Sequence, residues 1–337
     1  MPTDVHAHYV PPCILEALET RAAEFGVSLV KQPPSCRCAL QFDYGLKLRP
    51  FFETLVEPIE RRFAGMAEQG VDRQVLSIWA DVFGYGLAED RRRRWHRFLN
   101  EHLAALCGRH DRRFSMLATV PLPNAAAAAA ELEHAVKKLG AVGAVVAANV
   151  EGVNLGELDL DEFWHAAVEL DIAIFIHPTQ PAALPRTTRF ALSQIAQYPH
   201  DTTLCVGSLI FAGVLDRFPR LRILLSHGGG TFPYLSGRFD CMHGRMDRPA
   251  QGNSAANEPS AYLTRFYYDS ILHDPAILRW LATRVSVDRI VLGSDYSFPP
   301  ADRDPLGTLR RAGFSDADFR KIVDENPRAL FPQLGPG

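Results

Sequence analysis

Five residues carry most of the chemistry legible in this 337-residue chain: His6 and His8 in Asp4-Val5-His6-Ala7-His8, His177 closing IFIH, His227 closing RILLSH, and Asp295 in VLGSD. In an extended segment alternate side chains share a face, so His6 and His8 project the same way and can hold one ion. Imidazole nitrogens with one carboxylate suit Zn²⁺ or a similar divalent ion and leave a position open for water or substrate. The four histidines stand at or just past the C-terminal ends of predicted strands. The other eight do not. His96, His102, His134 and His165 lie on helical patterns, and His110, His200, His243 and His273 in loops or at helix ends, where a partly exposed polar role is expected.

The elements that must position these residues follow from apolar periodicity. Short β-branched runs predict eight strands, at Thr3–His6, Gln74–Ile78, Phe114–Val120, Ala144–Ala148, Ala173–His177, Arg222–His227, Phe266–Asp269 and Arg289–Gly293. Amphipathic segments between them predict helices at Ile14–Phe25, Pro58–Gln69, Asp90–Arg109, Ala125–Leu139, Asp161–Leu170, Thr203–Arg217, Pro275–Thr283 and Ala317–Leu330. Asn124 ahead of six alanines reads as an N-cap, and Pro58 as a first-turn proline. Eight β–α units predict an α/β fold, a (β/α)₈ TIM-type barrel whose strand C-termini converge on one mouth. An open doubly wound sheet is the other arrangement, but no glycine-rich phosphate fingerprint follows the first strand. Residues 27–57 form an insertion after strand 1 too long for a βα loop, and residues 178–202 follow the fifth strand. Both are expected to wall the mouth, within a single domain spanning residues 1–337.

Taken together, the motifs resemble the amidohydrolase superfamily. Within it they look most like the branch of 2-amino-3-carboxymuconate-6-semialdehyde decarboxylase and the metal-dependent hydroxybenzoate decarboxylases. The resemblance runs from DVHAH through EQGVDRQVLSI, RRFSMLATVPL, IHP, LRILLSHGGGTFPY and DSILHDP to VLGSDYSFP and ENPRALF. It implies that His6, His8, His177 and Asp295 are metal ligands and that His227, with Asp295, moves the proton. It implies that Arg238, in the helix after His227, reaches a neighbouring subunit's substrate in a homodimer, and that Phe298 stands on the pocket wall. The bridging lysine or glutamate of two-metal members has no counterpart in the fourth strand, GAVGAVVAAN, before Glu151. One divalent ion is therefore expected, Zn²⁺ with Mn²⁺ as the alternative. Three positions depart from the branch. Its tryptophan after the fifth strand falls on Ala191, beside Phe190. The insertion offers Arg49, followed by Glu53, as substrate-binding arginine. The His6–His8 pair stands where salicylate- and resorcylate-type relatives carry Glu-x-His. Phe190 and Arg49 complete the candidate substrate contacts.

The implied activity is non-oxidative release of CO₂ from an aromatic or dienoic (muconate-like) carboxylic acid. Hydrolysis or hydration of a lactone, amide or double bond at the same centre is the alternative. A catalytically silent binding scaffold is disfavoured because every ligand position is filled. Composition sets the remaining bounds: 36 basic and 39 acidic residues give a net charge of −3, which offers no global attraction to nucleic acid or an anionic membrane. The run Arg91–Arg94 is expected to be a solvated helix face or a subunit contact. No apolar stretch approaches the roughly 18 residues of a membrane span. No signal-peptide layout precedes His6, and six irregularly spaced cysteines, Cys36 and Cys38 among them, read as thiols of a reducing, cytoplasmic compartment.

Overall fold

A computed structural model of the chain describes residues 1–32, 37–179, 185–245 and 252–335. Twelve strands occur among them: β1 (Thr3–His8), β2 (Val27–Gln32), β3 (Arg37–Phe42), β4 (Arg73–Ser77), β5 (Phe114–Thr119), β6 (Gly143–Ala147), β7 (Asn149–Val150), β8 (Val153–Asn154), β9 (Ala173–His177), β10 (Arg222–Leu225), β11 (Phe266–Asp269) and β12 (Ile290–Val291). Eight of these form one sheet in the order β1-β4-β5-β6-β9-β10-β11-β12, every pair parallel. The extended chain beyond β12 closes the circle on β1. The Val5 N–H donates to the Leu292 carbonyl at 2.9 Å and the Asp295 N–H to the His6 carbonyl at 2.8 Å, beside a parallel bridge between Ala7 and Tyr296. The chain is a (β/α)₈ barrel, and the eight strands coincide with the eight predicted from apolar runs.

Strands such as β6, Gly-Ala-Val-Val-Ala, are buried throughout because helices cover the outer face while side chains fill the inside. The covering helices are α1 (Pro12–Phe25), α2 (Ile59–Glu68), α3 (Glu89–Arg109), α4 (Ala125–Leu139), α5 (Asp161–Glu169), α6 (Tyr198–Phe211), α7 (Val214–Arg217), α8 (Phe232–His243), α9 (Pro275–Val285), α10 (Pro305–Arg311), α11 (Asp316–Arg320) and α12 (Asn326–Leu330). The Asn124 side chain does cap α4, accepting from the Ala127 N–H at 2.9 Å. Pro58 is the N-cap of α2, one position ahead of the expected first turn. The helix expected over 203–217 starts earlier, at Tyr198, and breaks at Gly213, whose φ of 69° is left-handed.

Other departures have packing causes. The insertion is not an irregular loop: β2 and β3 pair as an antiparallel hairpin, and the returning chain hydrogen-bonds Leu48 to Leu40 and Phe51 to Cys38. Cys36 lies outside the described residues; Cys38 is a free, half-buried thiol. The arginine run is only partly solvated. Arg91 pairs with Asp43 of the insertion, and Arg92 turns inward to donate to the Tyr85 and Leu87 carbonyls at 2.9 Å each. His96, one turn further on, is fully buried rather than partly exposed, stacked on Tyr85 at 5.8 Å, and burial pushes its pKa down to about 3. His243 is also buried, stacked on Phe211 and bonded to Asn253 at 3.0 Å.

Candidate metal centre

The two histidines of β1 face the barrel interior, as does Asp4 below them. Pairing with β4 carries Asp4 opposite Gln74 but Ala7 opposite Leu76, so β1 holds one extra residue at the level of His6. This bulge lets the strand turn its end toward the barrel axis. Beneath the histidines Asp4 accepts from Ser294 Oγ at 2.6 Å and Gln74 Nε2 at 3.1 Å. Burial outweighs those bonds and raises its pKa to about 6. The Phe175 ring, 4.8 Å from that of His6, completes the floor.

His6, His8, His177 and Asp295 meet at the C-terminal mouth, one ligand atom from each lying within 4.8 Å of the others, and all four are buried. His6 Nε2 is 3.0 Å from His8 Nε2 and 3.2 Å from Asp295 Oδ1, which is 3.3 Å from His8 Nε2. The partners on the far sides of the rings fix the tautomers. His6 Nδ1 donates to Asp269 Oδ2 at 2.6 Å, and His177 Nδ1 donates to the Pro178 carbonyl at 2.7 Å. Both partners only accept, so in the neutral rings each Nε2 turns a lone pair toward the cluster. His8 Nδ1 lies 3.0 Å from Ser77 Oγ. Buried His177 Nε2 and Asp295 Oδ1 have no hydrogen-bond partner among the described residues. Two orphaned buried donor atoms among converging imidazoles and a carboxylate fit a divalent cation, which would satisfy both.

The charged groups of the cluster act strongly on one another. Burial opposes charge on His6, but the Asp295 carboxylate and the bond to Asp269 raise its pKa to about 10. Burial lowers His8 to about 4 and holds His177 well below the ordinary imidazole range. Asp295 is also desolvated, yet the surrounding imidazoles keep it well below the usual carboxylate range.

His227 stands beside the cluster, with Nε2 3.7 Å from Asp295 Oδ2 and a buried Nδ1 that has no partner among the described residues. Its backbone is left-handed, φ 53°, as are those of His273 (58°), Asp295 (56°) and Ser297 (103°) on the same rim. Non-glycine residues held in this region gather where surrounding structure dictates side-chain direction.

The cluster opens into a cavity of about 530 Å³, room for one substituted aromatic ring. Phe298 lies on its wall, 4.9 Å from the His8 ring, beside Trp79. Arg49 reaches the cavity from the insertion, its guanidinium 5.0 Å from Phe52, 5.1 Å from Trp79 and 4.0 Å from the Asp81 carboxylate. Two expected contacts are placed elsewhere. Phe190 is 77% exposed and points away; its neighbour Ala191 lines the wall instead. Arg238 is exposed on α8 and does not line this chain's cavity among the described residues. The wall also holds Trp79, Asp81 and Tyr198, and the centre is backed by Asp269; none of these was singled out from sequence. Trp79 and Asp81 follow the second barrel strand directly, and Asp269 ends the seventh, so position at strand ends was the available signal.

The family model described as "Amidohydrolase" matches residues 3–333. The 2-amino-3-carboxymuconate-6-semialdehyde decarboxylase of Dictyostelium discoideum is 30% identical over 326 residues, 96% of this chain and 88% of that protein. The 6-methylsalicylic acid decarboxylase of Penicillium expansum is 28% identical over 342 residues, 98% of this chain and 96% of that protein. Among solved structures, dihydroxybenzoic acid decarboxylase from a Polaromonas species, with bound manganese and the inhibitor 2-nitroresorcinol, superposes with a TM-score of 0.77 at 23% identity, covering 99% of this chain and 98% of that one.

Proposed function

This chain belongs to the amidohydrolase family, and we propose that it is a metal-dependent decarboxylase that releases CO₂ from a small aromatic or dienoic carboxylic acid. The observation that carries the reading is the convergence of four buried ligand atoms, two without partners among the described residues, at the base of a ring-sized cavity that also receives an arginine. The decarboxylases to which the chain is similar support it. His6, His8, His177 and Asp295 hold one divalent ion, Mn²⁺ as named for the Polaromonas relative or Zn²⁺. That ion supplies Lewis acidity toward the substrate's oxygens.

The remaining work falls to the chain. Loss of CO₂ from an sp² carbon leaves an unstabilised carbanion unless that carbon is protonated first. His227 delivers this proton. The electrons of the C–CO₂⁻ bond then return to the ring or diene as CO₂ departs, and Asp295, 3.7 Å away, stabilises the changing charge on the imidazole. Trp79 and Phe298 hold the substrate's flat face and exclude water. Arg49 meets a carboxylate or hydroxyl within the cavity. Arg238, solvent-exposed here, serves the cavity of a second copy in a homodimer.

The test is CO₂ release from hydroxybenzoates and muconate-type acids by metal-loaded protein, with a lactone and an amide alongside. CO₂ from at least one acid and no turnover of the lactone or amide is the expected result. Hydrolysis without CO₂ from any acid overturns the proposal in favour of hydrolysis at the same centre.

A further inference from the structure

We infer that Asp269 is a positioning residue joining the metal centre to the proton-handling histidine through a single carboxylate. The inference rests on the assignment of His6 as ligand and His227 as acid/base in the proposed function. Asp269 ends β11 and is fully buried. Its Oδ2 accepts from His6 Nδ1 at 2.6 Å and from the His227 backbone N–H at 2.8 Å; its Oδ1 accepts from the Gly228 N–H at 2.9 Å and the Ile271 N–H at 3.2 Å. Four donors are thus satisfied by one group.

The backbone around it is shaped for the purpose. His227 and Gly228 are both left-handed, φ 53° and 59°, which turns their successive N–H groups to one side as a nest for an anion. The anion in this nest is the Asp269 carboxylate. The triple glycine after His227 permits the turn. A Cβ at Gly229 would lie 2.6 Å from the Tyr268 ring, and one at Gly230 2.1 Å from the Pro199 carbonyl oxygen. The SHGGG run is therefore a wrap around Asp269, and the place it sets for the His227 Cα brings the imidazole to Asp295.

Two consequences follow from one carboxylate. On the His6 side, an acceptor-only partner holds the proton on Nδ1 and leaves Nε2 for the metal. On the His227 side, the same charge anchors a backbone conformation that a non-glycine residue adopts only when held. Asparagine cannot replace it: its single oxygen serves one side, and its NH₂ then confronts either the imidazole N–H or the nest N–H groups.

The experiment compares wild type with Asp269→Asn, using Zn²⁺ competition against a chromophoric chelator, then kcat, KM and the pH profile of kcat at saturating metal. Zn²⁺ affinity is expected to fall about 10- to 100-fold. With metal restored, kcat stays at least about tenfold below wild type with a displaced pH profile, while KM changes by less than about threefold. Wild-type Zn²⁺ affinity in Asp269→Asn overturns the inference, and so does full recovery of kcat on metal saturation, which would leave His227 independent of Asp269. If the variant fails to fold, ¹⁵N-histidine NMR of the wild-type zinc protein decides: a hydrogen-bonded proton on His6 Nδ1 supports the inference, and a proton on Nε2 overturns it. A wild-type chain that binds neither Zn²⁺ nor Mn²⁺ refutes the metal centre itself, a result read before any variant is made, and the inference falls with it.

Discussion

Replacing His177 by leucine separates what the metal centre does for stability from what it does for chemistry. In the wild type, His177 Nε2 and Asp295 Oδ1 are buried without hydrogen-bond partners among the described residues, and leaving such an atom unsatisfied costs about 1–3 kcal/mol. His177→Leu removes one of them and also the Nδ1 bond to the Pro178 carbonyl, a loss of about 1 kcal/mol. The two changes nearly cancel, so chelator-treated variant and wild type should differ by less than about 2 kcal/mol. Metal addition breaks the symmetry. A ligand present at about 1,000 times its Kd stabilises the folded state by about 4 kcal/mol. For a chain of 337 residues the unfolding entropy is about 0.7 kcal/mol/K, so the wild-type melting temperature should rise by about 6 °C. The variant, with one of four ligands gone, should shift by less than about 2 °C at the same metal concentration. Scanning calorimetry of both proteins, with chelator and with Zn²⁺ or Mn²⁺, measures all four values. Equal metal-induced shifts in the two proteins would refute the placement of the ion at His177.

Three other outcomes are expected. His227→Asn should keep its metal, measured by elemental mass spectrometry, while losing about 10²- to 10⁴-fold in kcat; full activity would remove His227 from the proton-transfer role. Asp201, on α6, is buried beside Asn149 and its pKa is raised by that burial from 3.8 to about 6. A carboxyl raised in the folded state adds stability that is complete below its unfolded pKa and is lost as pH climbs through the folded value. Wild type should therefore lose about 2 kcal/mol relative to Asp201→Asn between pH 4.5 and pH 7, read from urea unfolding at both values. Gly156→Ala places a Cβ 2.2 Å from the Ser208 carbonyl oxygen, backbone that cannot step aside. It should cost about 1–3 kcal/mol and lower the melting temperature by about 1–4 °C, which calorimetry would detect.

The barrel was legible because parallel strands buried on both faces read as unbroken apolar runs, as in Ala173–His177 and Arg222–Leu225. The four ligand-type residues were legible because they end those runs. The β2–β3 hairpin was not, since its pairing is set by the return of the chain through Leu48 and Phe51, a tertiary matter. His96 was misjudged because periodicity assigns a helix one buried face, whereas α3 packs against α1, α4 and β5 together. Spacing from His177 falls on Ala191, which does line the cavity; its neighbour Phe190 is an aromatic that adjacency alone brings in, and it turns outward. Asp269 shows in the sequence only as the last residue of a strand, with nothing to mark a role. Its importance lies in two partners, His6 and His227, that sequence places 263 and 42 residues away.

The central claim, one ion held by His6, His8, His177 and Asp295 and required for CO₂ release, is tested most directly by titrating chelator-treated protein with Mn²⁺ or Zn²⁺ while recording CO₂ evolved from an aromatic acid. Negligible rate before addition, a linear rise and a break at one equivalent per chain are expected. A break at two equivalents, or a rate indifferent to metal, would contradict it.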